Sequence, residues 1–234
     1  MNSDMNSDTN SDMSGGMNSD MNSGLSSRLS RTVHPIEAES YRLLRSALDT
    51  SGFAPYTRAV LERVVHSSAD LDYAEDLVTR EAWLADAARA LASGAPIVAD
   101  VEMVAAGITR RDTLCLIKDP AAVTLAAERS ITRSAAALRL AAERAGSGAV
   151  YVIGCAPTAL FELLDLVAER PDLTPALVIG LPVGFVGAAE SKAALRESGL
   201  PAVSNVSPKG GSAVAAATLN ALIYEDLVGL EASR

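Results

Sequence analysis

From residue 149 onward the chain alternates between two kinds of run. AVYVIG (149–154), ALVIG (176–180) and PAVSN (201–205) are short and almost continuously apolar. PTALFELLDLVAE (157–169), AAESKAALRESG (188–199) and a closing stretch from Gly211 to Leu230 instead return to apolar residues every three or four positions. Short continuous runs mark strands covered on both faces, and the longer periodic ones mark helices with one buried side. Strand–helix alternation of this kind builds a parallel sheet with right-handed crossovers. Upstream, PIVAD (96–100) and DTLCLI (112–117) read as two further strands, and TLAAERSITRSAAALRLAAERAG (124–146) as one helix. Three helices come first. In HPIEAESYRLLRSALDTSG (34–52), Pro35 suits the first turn and Glu37 and Glu39 suit its positive end. Residues 55–66 form the second. TREAWLADAARALASG (79–94) forms the third, with Thr79 as N-cap and Gly94 as stop. The expected architecture is α/β: a mainly parallel five-stranded sheet covered on both faces, preceded by helices.

The first residues are of a different kind. MNSDMNSDTNSDMSGGMNSDMNSG repeats a Met-Asn-Ser-Asp unit and holds five of the six methionines, with almost no bulky side chain and neither a helical nor a strand period. Such a segment buries too little surface to offset its ordering entropy, so residues 1–32 are expected to be a disordered low-complexity tail and residues 33–234 the folded domain. The tail lacks the basic start and apolar stretch of a signal peptide.

Composition narrows the function classes. Of 234 residues, 49% are hydrophobic but only 4% aromatic, so the core must be aliphatic and alanine-rich. The formal charge of −9, with no block of lysine or arginine, argues against nucleic acid as a partner. Cys115 and Cys155 sit in apolar runs and do not form a disulfide framework, which suits a reducing cytoplasm. No apolar run approaches the length of a membrane span, and no membrane partner is expected.

Parallel sheets bind ligands in the crevice at the carboxyl ends of their strands. Three strand-to-helix loops there are unusual. VIGCAPTAL turns directly into a helix near Pro157; GLPVGFVGAAESK carries Gly180, Gly184 and Gly187; SPKGGSAVAA sets Lys209, Gly210, Gly211 and Ser212 at the mouth of the last helix. Glycines let backbone N–H groups approach a ligand, and helix N-termini attract anions, so several such mouths on one edge suit a molecule with several carboxylates or phosphates. Each glycine taken alone also fits a plain tight turn. The dinucleotide and P-loop fingerprints are missing. One of the two histidines, His66 in LERVVHSSAD, stands where an apolar helical stripe runs into a polar loop. A histidine there is either a surface residue or the side chain able to move a proton near neutral pH.

HPIEAESYRLL, RVVHSSAD, GAPIVADVEMVAAGITR, TRSAAAL, APTALF, PVGFVGAAESKAAL and KGGSAVAAATLNAL, in this order, resemble the precorrin-8X methylmutase (precorrin isomerase) family over residues 34–223. The resemblance implies a flavodoxin-like three-layer sandwich and a homodimer with the active site near the subunit interface. It also implies an intramolecular methyl transfer from C-11 to C-12 of precorrin-8X or cobalt-precorrin-8, giving hydrogenobyrinate or cobyrinate in cobalamin biosynthesis. No metal or organic cofactor of the enzyme's own is expected. It makes His66 the catalytic acid, protonating a ring nitrogen. A helix C-terminus favours the charged imidazole, which is compatible. It further suggests Arg133, Lys192, Lys209 and Ser212 as residues that bind the substrate's acid arms, with Ser40, Asp100, Thr109 and Ser134 beside them. His34 is read only as a helix-start residue.

Two stretches depart from the family pattern. Cys155 stands where asparagine is usual, and Ser207-Pro208 stand where many members have arginine-rich sequence before KGGSA, which removes positive charge near the anion site. One rival reading is a flavodoxin-like binding module for a phosphorylated ligand, against which the missing phosphate fingerprints and the motif order count; the other is a non-catalytic tetrapyrrole carrier on the same fold. It would keep the glycine mouths and have no need of His66.

Overall fold

The computed structural model describes residues 34–232, with side chains through Tyr224. The N-terminal repeat lies outside the described residues. Helix α1 (Pro35–Ala47) and α2 (Pro55–Ser68) are followed by a short α3 (Tyr73–Asp76), strand β1 (Leu77–Val78) and α4 (Glu81–Ala92). Strand β2 (Ile97–Ala99), α5 (Glu102–Gly107), α6 (Pro120–Arg129) and α7 (Arg133–Ala145) come next. The chain then alternates through β3 (Val150–Ile153), α8 (Pro157–Glu169), β4 (Leu177–Gly180), α9 (Ala188–Glu197), β5 (Ala202–Asn205) and α10 (Ser212–Ala232).

The sheet order is β1-β5-β4-β3-β2, with β2 to β5 parallel and β1 antiparallel to β5. Each parallel strand is thus beside its successor. Right-handed crossovers that always step the same way put their helices on one face. Accordingly α7, α8 and α9 share one cluster with Val98, Tyr151, Ile153, Val178 and Ala202. The alternate residues Ile97, Ala99, Val150, Val152, Leu177, Ile179 and Val203 face the opposite way, against α2, α4, α5 and α10. Every residue of β2 to β5 is buried, as their unbroken apolar runs predict.

Three local expectations are corrected. DTLCLI (112–117) is not a strand. It makes one parallel bridge, Leu114 to Val98, because Arg110 takes a left-handed φ of 65° before it and a turn closes at Ile117. The fifth strand is β1, whose two residues pair Leu77 with Asn205 and Val78 with Ser204. The run 124–146 is two helices. Ser130 adopts the left-handed conformation that ends α6, and Thr132 caps α7 by accepting the N–H of Ala135. Lastly, Thr79 does not cap α4; its hydroxyl donates to the carbonyl of Ala202, while Arg80 holds the cap position.

Candidate active site

The carboxyl edge of the sheet gathers four helix mouths. The hydroxyls of Thr132 and Thr158, 2.8 Å apart, join the starts of α7 and α8. Gly187, at φ 77°, caps α9 against Pro157. The N–H of Gly211 donates to the carbonyl of Leu181, 2.9 Å away, and docks the start of α10 on the loop after β4. Gly154 fits against Ser212 and Ala215 so closely that a β-carbon would lie 3.0 Å from each. Gly210 has no alternative: at φ 151° a side chain would run into the carbonyl oxygens of Leu181 and Pro182.

Asp100, just past β2, is buried and holds the turn before α8. Its carboxylate accepts N–H groups from Gly154 (3.2 Å), Cys155 (2.8 Å) and Ala156 (2.8 Å). Burial pushes this carboxyl up, and the three N–H bonds pull against that. The Cys155 thiol, raised by burial, lies 2.8 Å from the Ser212 hydroxyl. It is therefore a protonated bridge between the loop after β3 and the start of α10, not a thiolate nucleophile.

His66 lies in the last turn of α2, whose backbone ends on Ala69 in the left-handed conformation. Its Nδ1 is 2.8 Å from the Ser40 hydroxyl, and its ring stacks on Tyr41 at 4.9 Å and 8°. The Tyr41 hydroxyl accepts from Arg63 at 3.2 Å, and Arg63 also pairs with Glu37 at 2.8 Å. The Arg63 guanidinium lies over Tyr224, whose hydroxyl is 2.6 Å from that of Thr109. Thr109 is bonded in turn to Asn220 of α10. Ser40, His66 and Thr109, far apart in sequence, therefore sit on one polar web between α1, α2 and α10.

The remaining candidates lie on the loop after β5 and on helices α7 and α9. The Lys209 ammonium pairs with Asp70 (2.7 Å) and Asp72 (2.9 Å), and these pairs hold its pKa well above the usual lysine range. Asp70 follows His66 by four residues, so Lys209 ties the mouth of α10 to the loop after the histidine. Arg133 is exposed at the first position of α7, with Ser134 half-buried beside it, one helix further along the layer from α8. Lys192 is fully buried on α9. Its ammonium donates to Asn205 Oδ1 (2.8 Å) and to the carbonyls of Ser207 (2.5 Å) and Lys209 (2.6 Å). Burial pushes its pKa down to about 8, Asp76 opposes the fall and Arg196 adds to it.

Sequence reasoning passed over Arg63, Tyr224 and Asp76. Arg63, like Tyr41 and Asp70, lies inside the family-like motifs HPIEAESYRLL and RVVHSSAD, a usable signal. Asp76 had none. Its carboxylate gathers the Asn205 amide (2.8 Å), the N–H groups of Val206 (2.9 Å) and Ser207 (2.7 Å), and the Ser207 hydroxyl (2.6 Å).

A parallel-sheet edge ringed by helix mouths, with a hydrogen-bonded histidine at the end of a nearby helix, marks an α/β fold that takes its ligand at that edge. Comparison with known proteins makes this specific. The family model for precorrin-8X methylmutase matches residues 35–225. The chain is 44% identical to the cobalt-precorrin-8 methylmutase of Methanocaldococcus jannaschii over 70% of its own length and 77% of that protein. It is 42% identical to a precorrin-8X methylmutase of Sinorhizobium sp over 82% and 94% of the two chains. The crystal structure of the precorrin-8X methylmutase from Thermus thermophilus superposes with a TM-score of 0.74 at 34% identity, covering 83% of this chain and 96% of that one. The chain belongs to the precorrin-8X methylmutase family. It is an isomerase of cobalamin biosynthesis on a flavodoxin-like α/β fold.

Proposed function

We propose that His66 is the general acid of an intramolecular methyl migration, from C-11 to C-12 of precorrin-8X or its cobalt complex. The observation that carries this is the bonding of His66 at the end of α2. Ser40 bonds the ring through Nδ1 and Tyr41 stacks beneath it, so the imidazole is held in one orientation from which it can pass a proton. Protonating a ring nitrogen withdraws electrons from the conjugated system and lowers the barrier to the shift. The methyl then moves within the same molecule and the proton returns to His66, so atoms balance with no added oxidant, reductant or co-reactant.

The substrate is a polycarboxylate while the chain carries a formal charge of −9, so capture must rest on local donors and not on the overall field. Arg133, the helix mouths and Ser212 fit that task. Exposed Phe185 and Val186, with Val183 and Phe161, offer an apolar floor for the macrocycle beside the mouths of α8 and α9. The working form is a homodimer in the cytoplasm. No described helix is long and apolar enough to cross a membrane.

The test follows the visible spectrum of the corrinoid on incubation with purified protein. Turnover of precorrin-8X, lost in His66→Ala while the ring still binds, is the expected result. A stoichiometric spectral shift without turnover would instead mean a carrier. Sedimentation at micromolar concentration checks the dimer, and a monomer there would remove that part of the reading.

A further inference from the structure

A lysine that binds a substrate carboxylate must present its ammonium to the crevice. Lys192 does the opposite: it has no exposed surface. Its three N–H bonds match its three acceptors in number, and all three are neutral oxygens from residues 205, 207 and 209. No donor is left over for a ligand. The same loop is gripped from its other side. The Asn205 amide turns its oxygen to Lys192 and its nitrogen to Asp76, so a single side chain bridges a buried cation and an anion. The Asn205 nitrogen also reaches the Ser207 and Lys209 carbonyls, at 3.3 and 3.1 Å. Arg196, one turn further along α9, donates to the Asn205 backbone carbonyl at 2.8 Å.

The segment held this way is the one that matters at the site. It turns β5 into α10, sets Ser212 against Cys155, and projects the Lys209 side chain onto Asp70 and Asp72 beside the end of the His66 helix. Without the ammonium, the Ser207 and Lys209 carbonyls would turn toward each other with only the Asn205 amide between them. Burying a charge is costly unless hydrogen bonds compensate it, and such groups persist where they specify one geometry.

We infer that Lys192 is an internal tethered cation that shapes the loop of residues 205–211, and so acts on the methylmutase reaction as a positioning residue and not as a ligand of the substrate. The inference rests on the assigned reaction only for its effect on rate; its structural half is read with no substrate present.

The experiment is backbone hydrogen exchange on the ligand-free protein, comparing wild type with Lys192→Met, which keeps the length and removes charge and donors. Exchange at Val206, Ser207, Lys209 and Gly211 should quicken by roughly tenfold or more, as expected when local opening becomes easier, while β3 and β4 stay protected. Steady-state turnover should fall, and adding Lys209→Met to Lys192→Met should cost less than the sum of the two single effects, since both act through one loop. Unchanged exchange in the free protein together with lost substrate binding would make Lys192 a substrate ligand and overturn the inference. Unchanged exchange with unchanged binding would overturn it too. Should Lys192→Met not fold, the wild type decides: the Lys192 ammonium protons should give a protected nitrogen-15 NMR signal in free protein that does not move when product binds. Fast exchange of those protons, or a signal that moves with product, would overturn it. Failure of the methylmutase assignment would abolish turnover in every variant yet leave the exchange result standing.

Discussion

Helices α7, α8 and α9 arise from consecutive crossovers and pack each beside the next on one face of the sheet. Helices α2 and α10, which make the most extensive helix pairing among the described residues, come from opposite ends of the described chain and cover the other face. The first layer is short-range in sequence and supplies helix mouths: Arg133 and Ser134 on α7, Thr158 on α8, Gly187 ahead of α9. The second is assembled at long range and carries the proposed proton donor: His66 on α2, held by Ser40 and Tyr41 on α1 and linked through Arg63 to Tyr224 on α10. They meet at the loop of residues 205–211. The difference teaches how work is divided at this edge. Backbone-rich mouths can hold carboxylates with little help from side chains, whereas a general acid needs its ring fixed by partners from several elements.

Substitutions in the two layers should therefore separate in kinetics. The largest effect belongs to the long-range layer. His66→Ala should lower turnover by about 10²–10⁴-fold, the usual worth of general acid catalysis, with product binding kept. If binding and turnover fall together, the histidine is an anchor and the division of labour is wrong. In the mouth layer, Arg133→Ala should weaken binding by about 10–100-fold, one charge-assisted bond, and leave single-turnover rates of bound substrate nearly intact. A turnover loss without a binding loss would reverse the comparison. Ser40→Ala should cost roughly tenfold in turnover, one hydrogen bond to the imidazole, with Ser40→Thr recovering much of it. An unchanged pH profile of turnover in Ser40→Ala would separate Ser40 from the acid.

The meeting point has a pH signature. Burial pushes the Asp76 carboxyl up, but the Ser207 hydroxyl, the Asn205 amide and the Ser207 and Val206 N–H groups outweigh it and hold the pKa below its ordinary 3.8. A carboxylate depressed in the folded state stabilises above its unfolded value and ceases to do so as pH falls through the folded one. Urea midpoints of wild type and Asp76→Asn should thus differ most near neutral pH and converge below about pH 3.8. A constant gap across that range would mean the charge is not what holds the loop. The smallest effect expected is from removing residues 1–32: melting temperature and turnover should stay within error, since that composition offers nothing to pack.

Much of the short-range layer was readable from pattern alone. Unbroken apolar runs located β2 to β5 within a residue or two, and proline, glycine and helical periodicity located α8 and α9. What failed was local geometry that pattern does not encode. DTLCLI is as apolar as a strand, yet lies at the open edge beside β2 and makes only one bridge. Two-residue β1 is too short to show any period. The left-handed Ser130 that divides α6 from α7 sits inside an otherwise continuous helical rhythm. At the site, the resemblance pointed to His66 and placed Lys192 among ligands of the acid arms, but only the fold shows where each side chain points.

The sequence by itself determined the class of fold, the positions of its buried strands along the chain and the family, because hydrophobic period and ordered motifs are properties of neighbouring residues. Tertiary structure decided the rest: that β1 closes the sheet, that Ser40 and Tyr41 meet His66, that Lys209 reaches Asp70, and that Lys192 faces inward. Those outcomes depend on which surfaces meet when α1, α2 and α10 close over the sheet. Burial and hydrogen-bond satisfaction act on groups from 13 to 139 residues apart, and no local pattern records that they meet.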